Sequence, residues 1–169
     1  MEQEFTPPKN RGLLINGLIA VLLITSMLFF LIYGSITGQG WLSIAFIVIG
    51  LLLLIPFTLA IYRIIAISTT VYTLNRDALE IKWGLRRELI PMKEIEWMHP
   101  ISDFETPLPL SFPMIRGSFY GETDIKGLGK TLFVATIPDQ MVLIKLSQAY
   151  LVISPQDKDV FTEAFKQIS

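Results

Sequence analysis

The sequence predicts an α+β membrane protein in which a two-helix transmembrane hairpin precedes a soluble domain of short β-strands closed by one helix. Three observations carry that prediction. Leu13 to Tyr33 and Trp41 to Tyr62 each run without a charged residue. Short segments alternating in hydrophobicity follow, from Val71 to Ile153. The chain then ends in one amphipathic segment. An α-helix rises about 1.5 Å per residue, so each charge-free run covers roughly the 30 Å hydrocarbon layer of a bilayer. Only Gly34 to Gly40 separates them, which leaves room for a turn and no more. The predicted organisation is an N-terminal segment over 1–12, a helical hairpin over 13–63 (helices at 13–33 and 41–62) and a folded domain over 68–169.

Charge divides the chain in the same way. Of its 14 Lys and Arg, 11 lie after Ser68, and of its 15 Asp and Glu, 13 do, so that part carries a net charge of −2. A weakly acidic domain lacks the dense cationic surface that non-specific nucleic-acid binding needs, and no nucleic acid is expected as a partner. The chain has no cysteine, which excludes disulfides, thiolate metal sites and cysteine nucleophiles. Its single histidine, His99, excludes sites built from several imidazoles. The first apolar run is longer than a signal-peptide core, follows Glu2 and Glu4, and has no small-residue cleavage site after it. A retained helix is predicted.

Lys9 and Arg11 precede the first helix and Arg63 follows the second, while the connecting turn carries no Lys or Arg. The positive-inside rule then places both termini and the folded domain in the cytoplasm, with the protein multi-pass in the cell membrane. Tyr33 and Trp41 would mark the outer interface and Tyr62 the inner one. Thr25, Ser26, Ser43 and Thr58 are expected to bond back to their own backbone. Asn16 is expected either to find a partner on a neighbouring helix or to sit in water near the interface. Pro56 is expected to kink the second helix.

In the soluble part, Ile64–Leu74 reads as extended, with β-branched and aromatic residues alternating with smaller ones. Asn75–Asp77 is a turn. Leu79, Ile81 and Trp83 alternate with Glu80 and Lys82 in a half-buried strand, and Leu85 to Ile90 forms the next after Gly84. Pro91 ends it, and Met92 to Met98 restarts the extended pattern. Pro100 to Pro113 holds four prolines, which rules out a central strand and predicts an irregular excursion. Extended structure resumes at Arg116–Gly121. Further strands are predicted over Lys130–Ile137, Met141–Leu146 and Tyr150–Ile153. Ser154 is expected to cap the last helix, with Pro155 as its first residue and Asp157 completing a capping-box variant. Val160, Phe161, Ala164, Phe165 and Ile168 are expected to form its buried stripe. Seven or so short strands and one packed helix describe a bent barrel with a helical plug.

Particular residues in that order resemble the bacterial PH domain family. They are Tyr72-Thr-Leu74, Asp77-Ala-Leu79-Glu-Ile81, Gly84, Ile90-Pro91 and Ile95, then Gly117-Ser-Phe-Tyr-Gly121 and Ile153-Ser-Pro155-Gln-Asp157 leading to Phe161. The resemblance spans about residues 71 to 166. It implies a seven-stranded PH-like β-barrel capped by a C-terminal α-helix, and a non-enzymatic role. It brings no catalytic set across.

The residues themselves point the same way on catalysis. His99 sits beside Pro100 with no nucleophile elbow nearby. Asp103 and Glu105 offer too few oxygens for a metal. Gly127-Leu-Gly-Lys130 lacks the second half of a phosphate loop and the helix that should follow it. No catalytic residue, metal or cofactor is expected, and the protein is not expected to be an enzyme.

Two candidate contact sites remain. Lys82, Arg86 and Arg87 surround the Gly84 turn with Lys93 close in sequence, a candidate contact for anionic lipid headgroups at a bilayer the chain already inhabits. Glu80 and Glu88 are interleaved and offset part of that charge. Thr106 to Ile115 has no charge, and Leu108, Leu110, Phe112 and Met114 in it are a candidate contact with a partner or the membrane. The expected partners are the bilayer and other membrane proteins or a second copy of the chain. The leading reading is an accessory, scaffold or assembly subunit of a membrane complex. The alternative is a sensor of anionic headgroups, and a second alternative is a component of a homo-oligomeric channel or transporter, since one hairpin alone makes no pore.

Overall fold

A computed structural model describes residues 2–37, 40–103, 119–125, 127–137 and 140–168. The helical part comes first. Helix α1 spans Asn10–Ile36, α2 Trp41–Leu52 and α3 Leu54–Thr69. Asn10–Ile36 and the nearly continuous Trp41–Thr69 are both long and apolar enough to cross a membrane, and only 11% of the most apolar stretch of each is buried within the protein. Their outward side chains are mostly leucines, isoleucines and valines, with Phe29, Tyr33, Trp41 and Tyr62 among them.

The break between α2 and α3 falls at Leu53, and its cause is Pro56. Pro56 has no N–H to offer the Leu52 carbonyl four residues back, so the ladder lapses there and resumes with Phe57 donating to Leu53 at 3.2 Å. The helices approach closely where glycine allows it. A Cβ on Gly34 would stand 3.0 Å from Ile47, and one on Gly50 would stand 3.0 Å from Leu31. Thr25 and Thr58 do bond back to their own helices, each at 2.8 Å. Ser43 instead reaches across to the Gly34 carbonyl. Asn16 takes neither of its two expected environments. It is buried, its amide donates to the Gly12 carbonyl at 2.8 Å, and its Oδ1 has no partner among the described residues.

The domain is built from strands β1 (Gln3–Phe5), β2 (Val71–Leu74), β3 (Ala78–Trp83), β4 (Arg86–Pro91), β5 (Ile95–Pro100), β6 (Phe119–Ile125), β7 (Gly129–Ala135), β8 (Val142–Leu146) and β9 (Tyr150–Ile153). Helix α4 spans Lys158–Ile168. They form two sheets rather than the expected closed seven-stranded barrel. One has the order β1-β2-β3-β4, the other β5-β8-β9-β7-β6. The ladder breaks where the chain turns a corner: Pro91 ends β4 and a 3₁₀ turn at Met92–Glu94 redirects it into β5. All pairings are antiparallel except β7 with β9.

The two sheets share one core. Leu79, Ile81 and Ile90 from the first meet Ile144, Leu151 and Ile153 from the second, and α4 closes over them with Phe161 and Phe165. The inner end of α3 joins this core through Ala66 and Ile67. Tyr72 lies fully buried at its centre. Its hydroxyl donates to the Val134 carbonyl at 2.8 Å and accepts the Ser154 N–H at 3.5 Å. Burial pushes that phenol well above the usual tyrosine range, partly opposed by the hydrogen bonding of Ser154. Sheet β5-β8-β9-β7-β6 is also buried on its other face, where Phe133, Leu143 and Val152 form a second cluster.

Four further expectations change. Ile64–Thr69 is helix and not strand, because α3 carries on past the charge of Arg63 and buries Ala66 and Ile67 against the domain. The first residues are not a plain leader: Gln3–Phe5 pairs with Val71–Leu74, and the Phe5 ring meets Phe161 edge-on at 4.8 Å. The N-cap of α4 is Asp157, whose Oδ1 accepts the N–H groups of Asp159 and Val160 at 3.1 and 3.0 Å. Ser154 is buried and accepts the Thr136 N–H at 2.7 Å instead, which draws it into the core and away from the helix end. Val160, at 51% exposure, faces out of the stripe that Phe161, Ala164 and Phe165 form.

Candidate functional site

The cationic candidate centres on the β3–β4 hairpin. Trp83 pairs with Arg86, so Gly84 and Leu85 alone make the turn. Gly84 takes φ +58° and no other residue type has positive φ among the described residues. That is the pattern of a type II′ turn, which matches the twist of the flanking strands and needs glycine at its first central position. The turn lies against α3. A Cβ on Gly84 would stand 3.1 Å from the Ala66 Cβ and 3.4 Å from the Tyr62 hydroxyl.

The alternation of strands sorts the cations. Lys82 is opposite Arg87 and both lie on the outer face; Arg86 is opposite buried Trp83 on the other face. Arg87 grips Glu80 through both ends of its fork, at 2.5 Å from Nε to Oε1 and 2.7 Å from Nη2 to Oε2. Hydrogen bonding from Arg87 holds the Glu80 carboxyl below its ordinary value. The Arg86 guanidinium lies over the Tyr120 ring, 4.6 Å from its centroid, and the Tyr120 hydroxyl donates to Glu88 at 3.3 Å. Lys82, Leu85, Arg86 and Arg87 are exposed. With Glu80 and Gly84 they border a shallow depression of about 310 Å³. Its border carries three cations and one carboxylate, and that carboxylate is paired with Arg87.

Lys93 is not part of this arrangement. It is exposed on the 3₁₀ turn at the opposite end of β4, about 20 Å of strand away from Gly84. Leu108, Leu110, Phe112 and Met114 lie outside the described residues, as does Glu105. Gly127 and Gly129 take φ +94° and +82° in the β6–β7 turn, and β7 follows, not the helix that a phosphate loop requires. His99 is exposed on β5 with its ring 5.3 Å from that of Trp97. Among the described residues, no three His, Cys, Asp or Glu side chains are grouped so as to hold a metal. A second depression, about 390 Å³, is lined by Glu94 and Leu146–Ala149 and has no cation in its lining.

Three further residues belong to the hairpin site. Tyr120 and Tyr62 come from distant segments, so no spacing pairs them with the Gly84 turn. Leu85 left a local signal, an apolar residue in a two-residue turn among cations, but its 90% exposure appears only in the folded chain.

The profile of the family described as Bacterial PH domain matches residues 70–169. No curated protein and no solved structure matches the chain.

Proposed function

Because the chain belongs to the bacterial PH domain family, we propose that it is a membrane-anchored PH-like interaction module, serving as an accessory, scaffold or assembly subunit of a membrane protein complex. α1 with α2–α3 spans the cell membrane, and both termini face the cytoplasm with the domain. Its role is binding and not catalysis; the bilayer and other membrane proteins, or a second copy, are its partners.

The observation that carries this reading is the brace between helices and domain. β1 leads into α1 and β2 follows α3, and those two strands pair with each other. Lys9 Nζ donates to the Ser68 carbonyl at 2.6 Å, and the Gln156 N–H donates to the Thr6 carbonyl at 2.8 Å. A module free on a linker needs none of this. A braced one offers a fixed face to whatever lies beside it in the membrane, and fixed geometry lowers the entropy lost on binding. The test is purification of the full chain from native membrane in mild detergent. Partners in fixed stoichiometry, lost when residues 2–5 are deleted, support the reading; a chain that always emerges alone overturns it.

The second reading, recognition of anionic headgroups, rests on the depression bordered by Lys82, Arg86 and Arg87. Cations near an anionic leaflet contribute attraction that salt screens. Anionic lipid retained by the purified full chain supports it, and retention indifferent to Lys82, Arg86 and Arg87 removes it.

A further inference from the structure

We propose that the Gly84–Leu85 turn is an interfacial anchor: Leu85 inserts at the boundary of the inner leaflet while Lys82, Arg86 and Arg87 meet the phosphates of anionic phospholipids around it. The proposal deepens the headgroup reading by assigning it a depth and an apolar residue.

With Trp41 at the outer interface, the 30 Å of hydrocarbon is used up near Tyr62, since a helix rises about 1.5 Å per residue. Arg63 follows at once. The headgroup layer beyond is roughly 5–8 Å deep on each side, which α3 crosses between Tyr62 and its end at Thr69. The β3–β4 turn touches α3 at Ala66 and Tyr62, so it doubles back along the helix into that layer. A residue at this level is surrounded by headgroups and the first carbons of acyl chains. Leu85 is 90% exposed there, the most exposed of the large apolar side chains described. In water such a leucine at a turn tip gains nothing; at this depth its side chain leaves water while the neighbouring cations keep theirs among phosphates. Gly84 is required for the approach, because a side chain would strike Ala66.

The chain has no cysteine, so Leu85→Cys and, as a control at the far end of β3, Arg76→Cys each provide one attachment point for an environment-sensitive fluorophore. Both positions are exposed, so both variants are expected to fold. The full-length protein is reconstituted into phosphatidylcholine vesicles with or without phosphatidylglycerol. Quenching is read with shallow nitroxide lipids and with aqueous iodide. The expected result is several-fold stronger nitroxide quenching at position 85 than at 76, with weaker iodide quenching, and a reduced contrast without phosphatidylglycerol or with Lys82, Arg86 and Arg87 all changed to Gln. Equal quenching at the two positions overturns the anchor, and shielding of position 85 from both quenchers assigns the tip to a protein contact and overturns it too. Insertion indifferent to phosphatidylglycerol and to the three cations overturns their part in it. Anionic lipid retained on the purified chain, measured by mass spectrometry, separates the two ideas: retention with position 85 in water removes the anchor and leaves the headgroup reading standing, while loss of retention removes the reading itself.

Discussion

The helical pair and the domain use the same apolar residues in opposite senses. In α1 and α2–α3 the small residues face inward and the large ones outward: Gly12, Ala20, Gly34, Gly50 and Ala60 are buried, while Leu22, Phe29, Ile44 and Leu51 are exposed. In the domain the order is reversed, with Leu79, Phe133, Ile144 and Phe161 buried and charged residues outside. Hydrophobic burial stabilises only what leaves water, so it holds the domain together and would give little to a helix pair placed in lipid. A pair in lipid would depend on close backbone approach through small residues, as at Gly34 and Gly50. The lesson is that exposure of a leucine has no meaning until its solvent is named.

The largest test of the contrast is Phe161→Ala. Phe161 is fully buried and touches both the shared core and Phe5. Truncation of a buried Phe costs about 3–5 kcal/mol, so thermal unfolding of the full chain should shift down sharply; an unchanged transition would break the assignment of α4 as the closing element. Next comes a pair of exposed leucines. Leu22→Lys, at the middle of α1, should raise the apparent insertion free energy by about 3–4 kcal/mol in a translocon assay, since leucine's favourable share is lost as well. Leu89→Lys, on β4, should alter thermal stability by no more than about 0.5 kcal/mol. Equal, small effects would mean that α1 faces water.

Tyr72→Phe should cost about 1–3 kcal/mol, since it leaves the buried Val134 carbonyl and Ser154 N–H without the hydroxyl they share. It also has a pH signature. The folded protein holds the phenolic proton more tightly than the unfolded chain does, so this group's contribution is intact below the ordinary tyrosine value of 10.0 and is lost as pH rises above it. Denaturant titrations above that pH should show the wild-type chain losing stability faster than Tyr72→Phe; parallel curves would contradict the burial of the hydroxyl. The last destabilising change is at the seam between the two regions. Gly84→Ala places a Cβ in the left-handed region and against Ala66, at about 1–2 kcal/mol. Hydrogen exchange should then rise at the β3–β4 turn and the end of α3 together, and a rise in one alone would show that they do not act as a unit.

Much of this could be read from the chain itself. Length and lack of charge predicted both long helices, because a helix hydrogen-bonds within itself and its span follows from residue count. The turns at Asn75–Asp77 and Gly84 were legible for the same reason: Asn75 Oδ1 accepts the N–H groups of Asp77 and Ala78 two and three residues on, and Gly84 adopts a backbone that other residues avoid. The cluster Lys82, Arg86 and Arg87 was legible as a hairpin neighbourhood. Its separation from Lys93 was not, because nearness in sequence along a strand becomes distance in space.

Tertiary structure decided the choices in which two local signals competed or a partner lay far away. Ser154 and Asp157 are both good caps; the Thr136 N–H, 18 residues away, takes Ser154 and leaves the helix end to Asp157. Ile64–Thr69 has strand-like composition, yet a helix already under way extends at one hydrogen bond per residue while a strand needs a neighbour. Gln3–Phe5 is too short to announce itself and becomes a strand only because β2 offers an open edge and Phe161 a surface for Phe5. Whether the strands closed into one barrel or split into two sheets turned on the corner at Pro91–Glu94, where the missing N–H of a proline ends one ladder and the next begins on a different sheet.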